Sequence, residues 1–190
     1  MKKIQDKYDN IFDVTCYNIA ALLSPLFKYF NFTPNMITYL NIITSILSIY
    51  YLYHLDYNLA ALFLVITYIL DCCDGYYARK YKKETYFGDL LDHYTDYILH
   101  ISVYYLLLTK VQLKNKTIFT IILMFLSIFA LIHMGCIEHY NKTNKQINTH
   151  LSKLKKMCLK KEYIHITKYL GPGTLYLYII LGLLFYTKKI

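Results

Sequence analysis

The sequence predicts an all-α integral membrane protein, a bundle of five to six transmembrane helices preceded by an interfacial amphipathic helix. Three observations favour this fold class. The 190-residue chain is 56% hydrophobic, and only 17% of its residues are charged, against roughly 25% in soluble domains. Apolar stretches near the length needed to cross a bilayer, about 20 residues, recur along it. We expect one membrane-embedded domain over residues 34–190 and an interfacial segment over residues 1–33.

The N-terminal segment, residues 8–31, mixes apolar and charged side chains and is typical of a helix lying in the membrane interface. Ile11 and Leu22 belong to its apolar set, and Asp13 to its charged set. The next helix is expected to begin at Thr33-Pro34, because Thr is a favourable cap and Pro is tolerated in the first turn.

Five later stretches are apolar and long enough to be read as spans. They are residues 34–54, 57–78, 91–109, 117–137 and 173–187. Residues 140–162 are too charged to span, so we expect a basic loop or surface helix there. Gly171-Pro172-Gly173 should interrupt any helix just before the last span. A half-buried helix within residues 144–170 would raise the count to six.

The distribution of basic residues predicts the orientation of the bundle. The chain has a net charge of +9. With five spans, one side receives fifteen Lys and Arg residues and the other side five, and Lys168 is left unassigned. The richer side carries Lys2, Lys3, Lys7, Lys28, Arg79, Lys80, Lys82, Lys83, Lys142, Lys145, Lys153, Lys155, Lys156, Lys160 and Lys161. That side should face the cytosol, and anionic membrane lipids rather than nucleic acid are the expected partners of these charges.

The cysteines show no spacing typical of metal ligands. Cys72 and Cys73 are adjacent and cannot easily pair with each other. We therefore expect all five cysteines to be reduced. They are Cys16, Cys72, Cys73, Cys136 and Cys158.

An acidic stretch, residues 71–96, carries most of the functional information. At 100° per residue, Asp71 and Asp74 fall on one helical face. Asp92 and Asp96 are spaced by four residues on the next helix. The loop between the helices is short, so the helices should be antiparallel neighbours and the four carboxylates should converge.

Clustered carboxylates at the edge of a membrane need compensation. Each is costly to insert, and together they repel one another. Divalent cations remove both problems, and hard oxygen ligands favour Mg²⁺ or Mn²⁺. Arg79 supplies a planar cation suited to phosphate oxygens, while Gly75 and Gly88 leave the flank open to a ligand. The pattern indicates a phosphate-handling site.

The spacing D-x2-D-G-x2-A-R-x8-G-x3-D-x3-D resembles the signature of the CDP-alcohol phosphatidyltransferase family. All eight fixed positions match, and chance agreement is on the order of 10⁻¹⁰ per starting point. The upstream Pro34-Asn35-x-x-Thr38 resembles the opening of the first span in that family. The resemblance implies an enzyme of phospholipid biosynthesis. Its members transfer a substituted phosphate from a CDP-alcohol, of the CDP-diacylglycerol or CDP-choline/ethanolamine type, to an acceptor hydroxyl with release of CMP.

The resemblance also implies roles for individual residues. Asp71, Asp74 and Asp92 would bind Mg²⁺ or Mn²⁺, and Asp96 would be the general base and share a metal ion. The nucleotide would contact Asn35, Gly75, Ala78, Arg79 and Gly88. The family pattern also implies a homodimer. Apart from the resemblance, His93 beside Asp92 and Glu138 at the cytosolic end of the fourth span are candidates for contacts to the acceptor. The active site would face the cytosol.

Other substrates, functions and residue roles also fit the sequence. Asp92-His93-x-x-Asp96 is similar to the choline and ethanolamine phosphotransferase branch. Tyr97 stands where phosphatidylinositol and phosphatidylglycerophosphate synthases usually carry a basic residue. A divalent-cation transporter is a second function, although the first, fourth and fifth spans hold no acidic residue in their centres. A membrane scaffold that has lost activity is a third. For single residues, Arg79 could instead anchor the loop, and the glycines could serve helix packing.

Overall fold

A computed structural model describes residues 5–140 and 150–187 of the chain, and its long elements are all helices. The first five are α1 (Ile11–Tyr29), α2 (Pro34–Tyr53), α3 (Tyr57–Lys80), α4 (Tyr86–Thr109) and α5 (Lys116–Tyr140). After α5 come short 3-10 turns at His150–Met157, Lys161–Tyr163 and Lys168–Leu170, the short α6 (Ile164–Thr167) and α7 (Pro172–Leu181), which continues as a wider turn over Gly182–Tyr186. This confirms the predicted all-α class.

Four segments of the described chain are long and apolar enough to cross a membrane. They are Pro34–Tyr53, Tyr57–Lys80, Lys116–Tyr140 and Ile164–Tyr186. Helix α4 has 24 residues and is not among them, because its first half carries Asp89, Asp92 and Asp96. The prediction of a membrane-type helical fold is confirmed, and the count of five to six spans stays a prediction.

Local signals fix the ends of the helices that build the site. Thr33 caps α2 and accepts a hydrogen bond from the Met36 N–H at 3.3 Å, as predicted. Helix α3 ends at Lys80. Lys82, two residues later, has a φ of 54°, a left-handed conformation that commonly follows the end of a helix and reverses the chain. Thr85 then caps α4 and accepts from the Gly88 N–H at 3.0 Å. The loop between α3 and α4 is therefore short, and α4 packs mainly against α2.

Helix α1 turns its small and polar side chains inward. Asp13, Cys16 and Ala20 are buried, and α1 packs against α3 and α7. In contrast, Ile11 and Leu22 are 87% and 78% exposed. The helix is amphipathic, as predicted, with a face of large apolar residues directed away from the bundle, which suits contact with lipid.

The prediction that all five cysteines are reduced was wrong. Cys136, near the end of α5, forms a disulfide with Cys158, and the two Cα atoms lie 5.0 Å apart. The chain after α5 folds back onto the end of that helix. This fold brings together residues separated by 22 positions, which sequence spacing alone did not reveal. Cys16, Cys72 and Cys73 are free and buried.

Candidate active site

Three of the four signature aspartates meet between α3 and α4. Asp71, Asp74 and Asp92 each offer a carboxylate oxygen, and these oxygens lie within 4.8 Å of one another. The 100° spacing within α3 brings the first two together, and the short α3–α4 loop brings the third to them. Asp96 is not part of this group of three, but it lies one turn further along α4 and lines the same cavity.

Two of the four carboxylates carry an oxygen atom that the described protein does not satisfy. Within residues 5–140 and 150–187, Asp92 Oδ1 and Asp96 Oδ1 are buried and have no hydrogen-bond partner. A buried carboxylate oxygen without a donor is costly, and close carboxylates repel one another. A divalent cation offsets both costs, and oxygen ligands are those that Mg²⁺ and Mn²⁺ prefer. The residues present therefore fit such an ion.

One of these carboxylates is oriented by a residue from another helix. The Thr38 hydroxyl donates a hydrogen bond of 2.7 Å to Asp74 Oδ2. Asp74 is only 4% exposed, so this contact holds the carboxylate in a buried position. Thr38 belongs to the Pro34-Asn35-x-x-Thr38 pattern, and its contact with Asp74 becomes visible only in the structure.

The two signature glycines lie against polar side chains on the flank of the cluster. A Cβ atom built on Gly75 would lie 3.1 Å from Arg79 Nη1. A Cβ atom on Gly88 would lie 2.9 Å from Asn35 Oδ1. The absence of these two side chains lets Arg79 and Asn35 lie close to the helix backbones and keeps the flank open.

A single cavity of about 490 Å³ joins all the predicted site residues. His93 lies beside the cluster, with its Nδ1 atom 3.4 Å from Asp92 Oδ2 and its Nε2 atom 3.8 Å from Asp89 Oδ1. Glu138, from α5, is buried in the cavity wall. The predicted residues that line the cavity are Asn35, Asp71, Asp74, Gly75, Ala78, Arg79, Gly88, Asp92, His93, Asp96 and Glu138.

The cavity also extends past the aspartates into a region that the sequence analysis did not anticipate. We call the region around Asp71, Asp74, Asp92 and Asp96 the acidic half. The remaining region is the hydroxyl half. Its polar lining residues are Tyr68, His100, Tyr104, Ser127 and Tyr176, with Asp13 of α1 at its edge, and apolar residues such as Ala130 and Leu175 complete the wall. One sequence signal pointed there, since His100 continues the four-residue steps of Asp92 and Asp96. Tyr104 continues the same steps on α4. Tyr68, Ser127 and Tyr176 come from α3, α5 and α7 and share no local pattern.

Asp13 of α1 borders the hydroxyl half and is fully engaged. Its carboxylate accepts hydrogen bonds from the Tyr68 hydroxyl and the Asn10 side-chain amide. A Cβ atom on Gly173 would collide with it, so this carboxylate lies directly at the start of α7. Burial raises the pKa of the Asp13 carboxyl, and the hydrogen bonds from Tyr68 and Asn10 oppose that shift. Asp13 thereby ties α1 to α3 and α7.

Comparison with known proteins identifies the chain's family. Residues 31–187 match the CDP-alcohol phosphatidyltransferase domain. The chain belongs to the CDP-alcohol phosphatidyltransferase family. A CDP-diacylglycerol–inositol 3-phosphatidyltransferase of Candida albicans is 32% identical over 169 residues, which cover 78% of this chain and 71% of that protein. Proteins of the same name from Rattus norvegicus and Mus musculus are 37% identical over 67 residues, 35% of this chain and 31% of each relative. No solved structure was found to match.

As a CDP-alcohol phosphatidyltransferase, the chain is a multi-pass membrane enzyme of phospholipid biosynthesis that transfers a phosphatidyl group from a CDP-alcohol. This confirms the predicted enzyme class and the resemblance drawn from the eight signature positions. The family generally depends on divalent metals, and the Asp71, Asp74 and Asp92 oxygens form a group that could hold one.

Proposed function

We propose that the chain transfers the phosphatidyl group of CDP-diacylglycerol to a hydroxyl of inositol, with release of CMP. The observation that carries this proposal is the meeting of three signature carboxylates at one end of a cavity whose other end presents tyrosine and serine hydroxyls and a histidine. The name shared by the Candida, rat and mouse relatives supports this donor and this acceptor. The similarity of Asp92-His93-x-x-Asp96 to the choline and ethanolamine branch covers far fewer residues than the match to the Candida protein. We therefore prefer CDP-diacylglycerol to CDP-choline or CDP-ethanolamine as the donor.

Asp71, Asp74 and Asp92 are proposed to hold Mg²⁺ or Mn²⁺, with Asp96 as a further ligand. When bound, the ion would neutralise the negative charge of the donor's pyrophosphate and of the departing CMP. The unpartnered Oδ1 atoms of Asp92 and Asp96 support this assignment, because each is a ligand atom without a competing donor among the described residues.

The nucleotide is proposed to bind along the open flank of the acidic half. Gly75, Ala78 and Gly88 would allow the cytidine and its ribose to approach the helix backbones. Arg79 would contact a phosphate oxygen through its planar guanidinium, and Asn35 would offer its amide. The closeness of Arg79 to Gly75 and of Asn35 to Gly88 supports one shared surface.

Asp96 is proposed as the general base. It would take the proton of an acceptor hydroxyl, whose oxygen attacks the phosphorus that carries diacylglycerol. A new P–O bond then forms to the acceptor as the P–O bond to CMP breaks, and CMP leaves with the bridging oxygen. Positioning and electrostatic stabilisation supply most of the acceleration in reactions of this type. His93 and Glu138 are proposed to contact the acceptor from the rim of the cavity, which both of them line.

We also propose how the enzyme is oriented in the membrane and where its N-terminal segment lies. The acidic half would face the cytosol, as the excess of basic residues around residues 79–87 favours. Residues 1–33 would lie in the membrane interface as a segment distinct from the domain over residues 34–190. The homodimer implied by the family resemblance stays a prediction.

A panel of donors and acceptors tests this function. Full-length protein in detergent micelles is incubated with Mg²⁺ or Mn²⁺, one of CDP-diacylglycerol, CDP-choline or CDP-ethanolamine, and one of several alcohols. We expect CMP and phosphatidylinositol only from CDP-diacylglycerol with inositol. CMP release from a different pair would replace the proposed substrates while keeping the enzyme class.

An assay in vesicles distinguishes an enzyme from the two alternative functions, a divalent-cation transporter and an inactive scaffold. Reconstituted into vesicles, a transporter would move Mn²⁺ without forming CMP. A scaffold without activity would neither move the ion nor form CMP with any pair in the panel. Either result would overturn the proposed function.

A further inference from the structure

The hydroxyl half of the cavity begins one helical turn beyond the proposed base. His100 follows Asp96 by four residues on α4, an axial distance of about 6 Å. Its Nδ1 atom lies 2.7 Å from the backbone carbonyl oxygen of Asp96. Because a carbonyl oxygen only accepts, Nδ1 carries the proton of this hydrogen bond. In the neutral ring, Nε2 is then left with a lone pair.

The imidazole is fixed in this orientation by its neighbours. The ring of Tyr176 meets it edge to face, with centroids 5.1 Å apart, and the ring of Tyr104 does so at 6.1 Å. The Nδ1 atom makes the one hydrogen bond found for this ring among the described residues. The residue therefore presents an oriented acceptor to the cavity that it lines.

Three of the hydroxyl groups in this half have committed their protons in the same way. The Ser127 hydroxyl donates to the Leu123 carbonyl at 2.7 Å. Tyr104 and Ser127 lie 2.6 Å apart, so the Tyr104 hydroxyl is the donor of that pair. The Tyr68 hydroxyl donates to Asp13. Both tyrosine oxygens thus retain lone pairs, and a ligand rich in O–H donors would complement them.

The same half lacks the charge that a phosphorylated ligand would require. In the described parts of the cavity wall, the Lys and Arg residues are Arg79 and Lys83. Arg79 lies in the last turn of α3 and Lys83 just after it. Both are beside the acidic half, where the donor's phosphates are proposed to bind. Tyr97, which follows Asp96 and also lines the cavity, is uncharged. A second phosphate group in the hydroxyl half would find no cation among these residues to pair with.

We infer that the hydroxyl half is the acceptor site, that it selects a neutral polyol over a phosphorylated one, and that His100 and Tyr104 determine this specificity by accepting hydrogen bonds from ligand hydroxyls. The inference rests on the proposed function and extends it to the residues that recognise the acceptor. A polyol hydrogen-bonded to His100 would present a neighbouring hydroxyl to Asp96, one turn away on the same helix face.

Kinetics with separate titrations of the two substrates test the inference. Tyr104→Phe removes one hydroxyl and keeps the ring, and His100→Phe removes the acceptor nitrogen. We expect each to raise the KM for inositol by about fivefold to tenfold, the cost of one lost hydrogen bond, while the KM for CDP-diacylglycerol is unchanged. Tyr105→Phe is the matched control. Tyr105 follows Tyr104 in the chain, but its side chain is 64% exposed and lies outside the cavity wall. An unchanged KM for inositol in both cavity variants would overturn the inference.

The wild-type enzyme gives a second test that does not depend on the folding of a variant. Inositol, inositol 1-phosphate and glycerol 3-phosphate are compared as acceptors at equal concentration. We expect inositol to be used at least tenfold faster than either phosphate ester. Faster CMP release with a phosphate ester would refute the acceptor site while leaving the transfer chemistry intact. The lack of CMP with every acceptor would instead refute the proposed function.

Discussion

The acidic half and the hydroxyl half of the cavity satisfy their polar atoms in opposite ways. In the acidic half, Asp92 Oδ1 and Asp96 Oδ1 are buried without a partner in the described chain. In the hydroxyl half, Tyr104 is paired with Ser127, and Tyr68 is paired with Asp13. The first arrangement leaves ligand atoms free for an ion, at a cost to the stability of the ion-free fold. The second fixes side chains in place before any ligand binds.

Two aspartates on the wall of this one cavity, the half-buried Asp71 and the buried Asp13, illustrate the difference. Asp71 belongs to a group of carboxylates within 4.8 Å of one another. Asp13 instead accepts hydrogen bonds from Tyr68 and Asn10. The same substitution, Asp to Asn, should therefore remove activity at one position and stability at the other.

The largest effect is expected for Asp71→Asn, because it removes a proposed ligand of the ion that neutralises the donor's pyrophosphate. We expect CMP release to fall on the order of 10³-fold, about 4 kcal/mol in transition-state stabilisation. Calorimetric titration with Mn²⁺ should show weaker uptake of the ion. In EDTA the variant should melt at a higher temperature than the wild type, because one of three repelling carboxylates is gone.

Asp56→Asn is the matched control for that experiment. Asp56 caps α3 at the end away from the cluster by accepting from the Leu59 N–H at 3.1 Å, and Asn caps helices about as well as Asp. Its activity and melting temperature should equal those of the wild type. Robust CMP release by Asp71→Asn would contradict the assignment of the acidic half as the metal site.

The contrast between the halves also explains what could be predicted from the sequence. The acidic half lies within residues 71–96, where helical periodicity and one short loop determine which side chains meet. The hydroxyl half draws on α1, α3, α4, α5 and α7, so its composition depends on how distant helices pack. The Cys136–Cys158 disulfide escaped prediction for the same reason, since only the fold back onto α5 brings its partners together.

A smaller effect within the acidic half is expected for Thr38→Val. The substitution keeps the shape of the side chain and removes the 2.7 Å hydrogen bond to Asp74. Loss of a residue that does not bind the metal itself but hydrogen-bonds to one of its ligands typically lowers metal affinity or activity 10-fold to 100-fold. We expect the Mn²⁺ concentration for half-maximal CMP release to rise by roughly tenfold, with the maximal rate at saturating Mn²⁺ largely retained.

The matched control for this position lies on α4. The Thr109 hydroxyl donates to the Tyr105 carbonyl of its own helix at 2.6 Å and lies outside the cavity wall, so Thr109→Val should leave the metal dependence unchanged. Thr38→Ser should restore it, because the hydroxyl returns. If Thr38→Val and the wild type share one Mn²⁺ curve, the Asp74 carboxylate does not depend on this contact for its orientation.

The smallest expected effect on catalysis comes from the hydroxyl half, with Asp13→Asn. An Asn side chain keeps one acceptor oxygen for Tyr68 but directs an amide donor toward the amide of Asn10, so one charge-assisted hydrogen bond is lost. We expect the free energy of unfolding to fall by about 1–3 kcal/mol, seen as a lower melting temperature with and without EDTA. Calorimetric Mn²⁺ uptake should match that of the wild type, because Asp13 lies outside the cluster of Asp71, Asp74 and Asp92. Weakened Mn²⁺ uptake with an unchanged melting temperature would mean that Asp13 serves the ion and that the two halves form one acidic site.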